Sequence, residues 1–177
     1  MLQLATPADR EAVNRLGQQI HTLHVGFRPD HFCDAEEIFS QERFDKEVQE
    51  RNLYVARLED QVVGYTLLRI RSYDGPLVVN RRVMVIDEFC VEEMLRRHGI
   101  GTAMMTDIRA LARAFRCSQL RLNVYPQNDE AVTFYQKCGF LIRTIDMECK
   151  LSTNRVNPTG STRFSFAFLK IQCRGAQ

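Results

Sequence analysis

No run of apolar residues in this 177-residue chain approaches the roughly 18 that a membrane-crossing helix needs, so a helical span is not expected. The first residues, MLQLATPADREAV, carry acids and lack a basic start followed by a long apolar segment. A secretory signal is therefore not expected and a cytoplasmic location is. The six cysteines, at 33, 90, 117, 138, 149 and 173, form no CxxC pair and share no metal-type spacing with histidine. Their expected state is the reduced thiol, with no metal bound. His21 and His24 stand three apart in a predicted helix, but no third ligand stands at a telling spacing, and solvated or hydrogen-bonded imidazoles are the plainer reading. An excess of charge is also missing: 24 basic against 22 acidic residues leaves +2, too little to argue for nucleic acid. There is no internal repeat. What is present, 45% hydrophobic and 26% charged residues, is the composition of a globular domain with a full core.

Along the chain, Pro7-Ala8-Asp9 opens a helix with Thr6 as N-cap and Val13, Leu16, Ile20 and Leu23 on one face. Gly26 and Pro29 break it. A second, more polar helix is expected over Ala35–Glu50, with Ile38, Phe39, Phe44 and Val48 inward. NLYVAR (52–57) and QVVGYTLLRI (61–70) read as an antiparallel hairpin. Val83, Val85, Ile86, Phe89 and Val91 make an apolar strand, and Met104, Ile108, Leu111 and Phe115 recur on one face of the helix after it. A strand is expected over Gln119–Tyr125, a helix with Ala131, Phe134, Tyr135 and Cys138 on one face, and a last strand over Phe140–Leu151. Residues 152–177 differ in kind: Arg155, Arg163, Lys170 and Arg174 meet no acid, so this segment carries +4 and residues 1–151 carry −2. The expected organisation is a mixed α/β domain over 1–151 and a basic C-terminal extension, either an added strand through alternating Phe164, Phe166 and Phe168 or a disordered tail.

Between the central strand and its helix lie Gly99 and Gly101, preceded by Arg96, Arg97 and His98. Glycines at a helix start let the backbone approach a ligand, and the free N–H groups with the positive end of the helix dipole suit an anion. A P-loop is excluded because no lysine follows the glycines, and a dinucleotide fingerprint lacks its third glycine at Met104. The remaining pattern is Arg-x-x-Gly-x-Gly, Arg96 to Gly101, after a central strand.

At these residues the sequence resembles the GNAT superfamily of acetyl-coenzyme A-dependent N-acetyltransferases. The likeness runs from the first helix to Leu151 and rests on three stretches in order: IDEFCVEEMLRRHGIG, LNVYPQN and NDEAVTFYQKCGF. It implies a mixed central sheet with splayed parallel strands flanked by helices. It also implies acetyl-CoA as co-substrate, with its pyrophosphate on the loop Arg97, His98, Gly99, Ile100, Gly101 and Thr102, and Arg96 either a phosphate contact or a solvated residue. The pantetheine arm would pair like an extra strand with the main chain of Phe89, Cys90 and Val91. Asn128 would hydrogen-bond the cofactor, and Tyr135 would sit beside the thioester sulfur.

The resemblance implies acetyl transfer to a primary amine by direct attack. The amine must lose a proton, its pKa in water being about 10.4. Asp87 and Glu88 are the nearest carboxylates, with Asp87 slightly favoured by the resemblance; the alternative is that they are solvated or paired with Arg81 or Arg82. Adjacent strand residues face opposite ways, so only one of them reaches the cleft unless a bulge intervenes. Tyr135 is the candidate proton donor to the leaving thiolate, and a main-chain N–H near Cys90 or Val91 would meet the developing oxyanion. Cys90, on a buried strand, is not expected to be a nucleophile. Asp30, Asp34, Glu36, Glu37 and Asp74 are candidates to line a site for a cationic amine, although a solvated face accounts for most of them. A small amine is the favoured acceptor, with a protein or peptide amine as the alternative and a non-catalytic acetyl-CoA sensor as the rival class. A homodimer is left open.

Overall fold

Thr6 starts the first helical segment, its N–H and hydroxyl both donating to the Asp9 carboxylate, at 2.8 and 2.9 Å. A 3-10 turn at Pro7–Asp9 leads into α1 (Arg10–Phe27), whose Val13, Leu16 and Gly17 are buried. The computed structural model describes residues 1–151. The chain divides into two units, Met1–Leu141 and Ile142–Gln177.

In the first unit, β1 (Leu2–Leu4) precedes α1, and α2 (Gln41–Gln49), β2 (Leu53–Leu58), β3 (Gln61–Tyr73), β4 (Arg81–Val91), α3 (Ile100–Ala114), β5 (Gln119–Leu122) and α4 (Asp129–Lys137) follow. The strands lie in the order β1-β2-β3-β4-β5, antiparallel up to β4, with β5 parallel to β4. This is the expected mixed α/β sheet.

Four elements differ from expectation, one of them β5, which ends at Leu122 rather than Tyr125 because its pairing to β4 stops there. β1 is too short to show a period, and pairing with β2 makes it a strand. α2 begins at Gln41 rather than Ala35 because Ser40 caps it, its hydroxyl accepting from the Arg43 N–H at 3.2 Å. Ile38 and Phe39 instead give their N–H groups to the Asn14 carboxamide oxygen, at 3.1 and 2.7 Å, which holds the segment before α2 against α1. The strand expected over Phe140–Leu151 is absent. Residues 142–151 form no helix or strand, and no partner strand pairs with them among the described residues. Alternating side chains make a strand only where another backbone takes up the hydrogen bonds. The Phe164–Phe168 pattern lies outside the described residues.

The sheet buries both faces. Val13, Leu16, Phe39, Phe44, Leu53, Val55, Tyr65, Leu67 and Cys90 form the core on the α1 and α2 side. Tyr54, Leu68, Met84, Ile86, Met105 and Ile108 form the core on the α3 side, with Phe89, Phe134 and Tyr135 packed against it.

One irregularity organises this division. β3 and β4 pair Leu68 with Ile86 but Leu67 with Glu88, so Asp87 is an extra residue in β4, a β-bulge. Before the bulge the even-numbered Met84 and Ile86 face α3; after it Cys90 joins the opposite core and Phe89 takes the α3 side. The same point ends the contact with β5, whose register runs from Val83↔Gln119 to Ile86↔Leu122. Beyond it, Glu88–Val91 is paired to β3 alone among the described residues.

Gly64, opposite Val91, allows the close approach of β3 to this stretch: a Cβ there would lie 2.6 Å from the Cys90 carbonyl oxygen and 2.9 Å from Met104 Sδ. Relief would require backbone movement of β4. Gly64→Ala is expected to destabilise the fold by about 1–3 kcal/mol, the usual cost of overpacking, as a lower midpoint with unchanged slope in urea denaturation.

Candidate active site

The strand–loop–helix segment expected to bind an anion is built from β4, a 3-10 turn at Glu93–Leu95 and the start of α3. Arg97 and Gly99 both have positive φ, 67° and 85°, which turns the chain sharply into the helix. Gly99 suits that conformation without strain. Its carbonyl accepts from Ala103 N–H at 3.0 Å, while Ile100, Gly101 and Thr102 occupy the first turn, where N–H groups have no intrahelical partner. Gly101 has a packing reason as well: a Cβ there would meet the Phe134 ring at 3.3 Å.

Of the three basic residues beside this turn, Arg96 folds back, its Nε donating to the Val91 carbonyl at 3.3 Å. Arg97 is exposed and ion-paired with Glu130 of α4. The His98 ring meets the Arg96 carbonyl at 2.8 Å through Nδ1. The loop is tied to α1 through Glu92, which accepts from Arg15 and, at 2.5 Å, from Gln19. Burial opposes the charge on Glu92, but these hydrogen bonds outweigh it and hold the carboxyl below its ordinary range.

The two candidate carboxylates part company at the bulge. Asp87 is exposed and accepts from Arg69 Nε at 2.8 Å; the same guanidinium also pairs with the buried Glu47, at 2.5 Å. Glu88 turns to the α1 and α2 side. Its Oε2 accepts from the Tyr65 hydroxyl at 2.7 Å and its Oε1 from Arg43 at 2.5 Å, while the fully buried Thr66 hydroxyl donates to its carbonyl at 2.8 Å. Burial first, then the Glu88 charge, pushes the Tyr65 phenol far up, which keeps it a hydrogen-bond donor. Arg43 lies 4.1 Å from the centroid of the Phe39 ring and donates to the Ile38 carbonyl, so its aim at Glu88 is set from two directions.

Tyr135 projects from α4 into the aromatic group Phe89, Phe134 and Phe140, with ring centroids 6.3, 5.3 and 5.7 Å away. Burial pushes its phenol up to about 12, with the Cys138 and Cys90 thiols adding to the effect. Asn128 caps α4, its side-chain oxygen accepting from Ala131 N–H at 3.1 Å, which leaves its amide N–H₂ group to donate elsewhere. Phe89 stacks on Phe134 at 5.7 Å, and the Cys90 thiol donates to the Leu16 carbonyl at 3.4 Å.

The structure thus gathers Glu88, Phe89, Cys90, Val91 and the Arg96–Thr102 turn along one strand and its helix, with Tyr135 packed against that strand from α4. Asp87 it turns away. An open cavity of about 750 Å³, lined by Arg15, Gln19, Leu23, Glu36, Glu93 and Arg96 among others, adjoins this line only at Arg96. Residues that sequence reasoning missed are Tyr65, Thr66 and Arg43. Their roles depend on strand register and helix placement, and no local motif marks them.

Residues 18–140 match the family described as the acetyltransferase (GNAT) family. Among curated proteins, an N-alpha-acetyltransferase of Sulfurisphaera tokodaii is 31% identical over 97 residues, 51% of this chain and 57% of that protein. The uncharacterized N-acetyltransferase YvbK of Bacillus subtilis is 25% identical over 108 residues, 60% of this chain and 64% of that protein. The chain therefore spans about three-fifths of the length of these relatives. Among solved structures, a mutant of the BH1408 protein from Bacillus halodurans is 30% identical with a TM-score of 0.81, covering 85% of this chain and 99% of that one.

Burial gives the thiols unequal reactivity. Cys90 is 3% exposed and its thiol is pushed up to about 12 by burial, whereas Cys33 and Cys149 are exposed. Iodoacetamide at pH 7.5 is expected to label Cys33 and Cys149 in the native protein and Cys90 only after denaturation, read by peptide mass spectrometry. Native labelling of Cys90 at the rate of the exposed thiols would contradict its environment.

Proposed function

The chain belongs to the acetyltransferase (GNAT) family, and on that premise we propose that it is an N-acetyltransferase moving the acetyl group of acetyl-CoA to a primary amine by direct attack. The observation that carries this reading is the edge of β4 after the bulge, unpaired among the described residues, which runs into a helix start rich in free N–H groups.

The residues present suit acetyl-CoA. Along Phe89, Cys90 and Val91 the register turns the main-chain groups of Phe89 and Val91 away from β3, where they can pair with an amide-bearing arm once Arg96 Nε leaves the Val91 carbonyl, and the turn Arg97–Thr102 offers donors and cations to a pyrophosphate. Arg96 and the Asn128 amide stand as further donors. When bound, acetyl-CoA supplies an activated acyl group as a thioester.

Of the two carboxylates, Glu88 is the base we favour. It faces the side that α1 and α2 cover, and Tyr65 and Arg43 each take up one lone-pair direction while leaving others open to an ammonium. The Arg69 pairing of Asp87 supports a structural role for that residue. Glu88, directly or through a water, takes a proton from the amine, whose lone pair then forms the N–C bond as the C–S bond breaks. Tyr135, kept protonated by burial, hydrogen-bonds the sulfur as negative charge develops there and passes it a proton, which is replaced on the phenol by the second proton that the acylated nitrogen sheds. A main-chain N–H of Cys90 or Val91 meets the charge growing on the carbonyl oxygen. Cys90 takes no covalent part, because its thiol is protonated at neutral pH.

The favoured acceptor is a small-molecule amine. A protein or peptide N-terminus is the second reading, and the likeness to a relative named N-alpha-acetyltransferase is what favours it.

Tyr135→Phe is expected to lower kcat about 100-fold, within the range for a lost general acid, with the acetyl-CoA Kd unchanged by calorimetry. Glu88→Gln is expected to lower kcat/KM by about the same factor, and Asp87→Asn by no more than about threefold. With the Tyr135 phenol near 12, kcat should hold through pH 10 instead of falling as an ordinary phenol ionises. Unchanged thiol release in Tyr135→Phe would remove the acid role, and a larger loss in Asp87→Asn than in Glu88→Gln would reverse the choice of base.

A further inference from the structure

The inward stripe of α1, Val13, Gly17 and Ile20, continues by helical spacing to His24 in the last turn. The upstream positions of that stripe meet the sheet. A Cβ on Gly17 would lie 3.4 Å from the same Tyr65 hydroxyl that donates to Glu88. His24, two turns further on, meets a different surface. Its ring stacks on Phe32 of the α1–α2 connection, 5.3 Å between centroids and 26° between planes. It meets Tyr125, three residues beyond the end of β5, at 5.5 Å and 69°, and Phe32 and Tyr125 meet each other at 6.1 Å and 85°. Three rings from three segments thus form one half-buried wall, placed where the chain leaves β5 just past the splay from β4.

The Glu88 charge bears on the His24 imidazole. Burial and the neighbouring His21 outweigh that charge and lower the His24 pKa, so the ring is neutral at neutral pH and counts as a third aromatic surface. Two of the five acids that would serve a polycation are ion-paired. Asp30 pairs with Arg28 at 2.9 Å, Glu37 pairs with Arg10, and Glu36 lines the cavity on another side of α1. Asp74 lies in the β3–β4 connection.

We propose that His24, Phe32 and Tyr125 form the surface that receives the stem of the acceptor, and that they select a primary amine carried on an apolar or aromatic stem over a polyamine or a peptide. The assignment rests on the acetyl-transfer reading, with Glu88 as the carboxylate toward which the ammonium points. Apolar stem and ring surfaces leave water together, and the ammonium gains a carboxylate beside electron-rich ring faces.

The test is thiol release from acetyl-CoA by the full chain with 2-phenylethylamine, ethylamine, spermidine and a short peptide with a free N-terminus. The expected result is a kcat/KM for 2-phenylethylamine at least about tenfold above that for each of the others, the scale of one ring face removed from water. Phe32→Ala and Tyr125→Ala should raise the KM for 2-phenylethylamine about tenfold and bring the ratio of ethylamine to 2-phenylethylamine KM toward one, with the acetyl-CoA Kd unchanged. Tyr125→Phe, which keeps the ring, should retain the selectivity and separates loss of the wall from misfolding. Preference for spermidine or the peptide, or alanine variants that leave the KM ratio unchanged, would overturn this assignment and leave the acetyl-transfer reading standing. Thiol release with no amine would overturn that reading and this assignment together.

Discussion

A single extra residue in β4 is the constraint on which the rest of the site depends. With Asp87 bulged out of the ladder to β3, the side chains after it exchange faces: Glu88 and Cys90 go to the side of α1 and α2, and Phe89 goes to the side of α3 and α4. A strand of strict period two would send Glu88 with Ile86 into the α3 core, where an unpaired carboxylate is costly. The bulge has to be held. Thr66 supplies a hydroxyl to the Glu88 carbonyl, Gly64 lets β3 approach the Cys90 carbonyl, and Tyr65 anchors the Glu88 side chain. Three successive residues of one strand, 64 to 66, therefore hold the irregular segment of its neighbour.

The bulge coincides with the point where β4 and β5 stop pairing. A sheet interior does not normally leave backbone donors and acceptors without partners, and here an edge that is open among the described residues lies between two packed layers. That is the property an extended amide-bearing ligand would use. The glycine turn after β4 extends the line toward the α3 N-terminus, so the strand edge and a helix start with free N–H groups follow one another along the chain. Glu92, held by Arg15 and Gln19, fixes the turn against α1, the helix that also carries His24 toward the far end of the splay.

Polarity is distributed unevenly around this edge. The α1 and α2 side carries the ionic pieces: Glu88 with Tyr65 and Arg43, and Asp87 drawn into the Arg69 and Glu47 pairings. The α3 and α4 side is aromatic, with Phe89, Phe134, Phe140 and Tyr135. Two groups that meet a reacting amine and a leaving thiolate need unlike surroundings, since one must accept a proton and the other must keep one until charge develops. Burial among rings, which raises the Tyr135 phenol, and a polar cradle that leaves Glu88 lone pairs available stand on opposite faces of one strand, which is what the proposed acid and base would need.

The amino-acid sequence by itself determined the mixed α/β class, the positions of α1, α3 and α4, the hairpin, the glycine turn and the family to which the chain belongs. All of these rest on local period, on caps, or on residues close together along the chain. It also offered two adjacent candidate carboxylates, Asp87 slightly favoured, and expected them on opposite faces unless a bulge intervened. Only the tertiary structure decided which one faces the helices, because a bulge is a mismatch in count between two strands and β4 does not carry it alone. The short β1, the late start of α2 and the partners Tyr65, Thr66 and Arg43 were hidden for the same reason. Pairing to β2, the Asn14 carboxamide and the register of β3 create them, and each is a contact between residues far apart in sequence. The strand expected over Phe140–Leu151 shows the limit from the other side: an alternating pattern permits a strand, and a neighbouring backbone is what makes one.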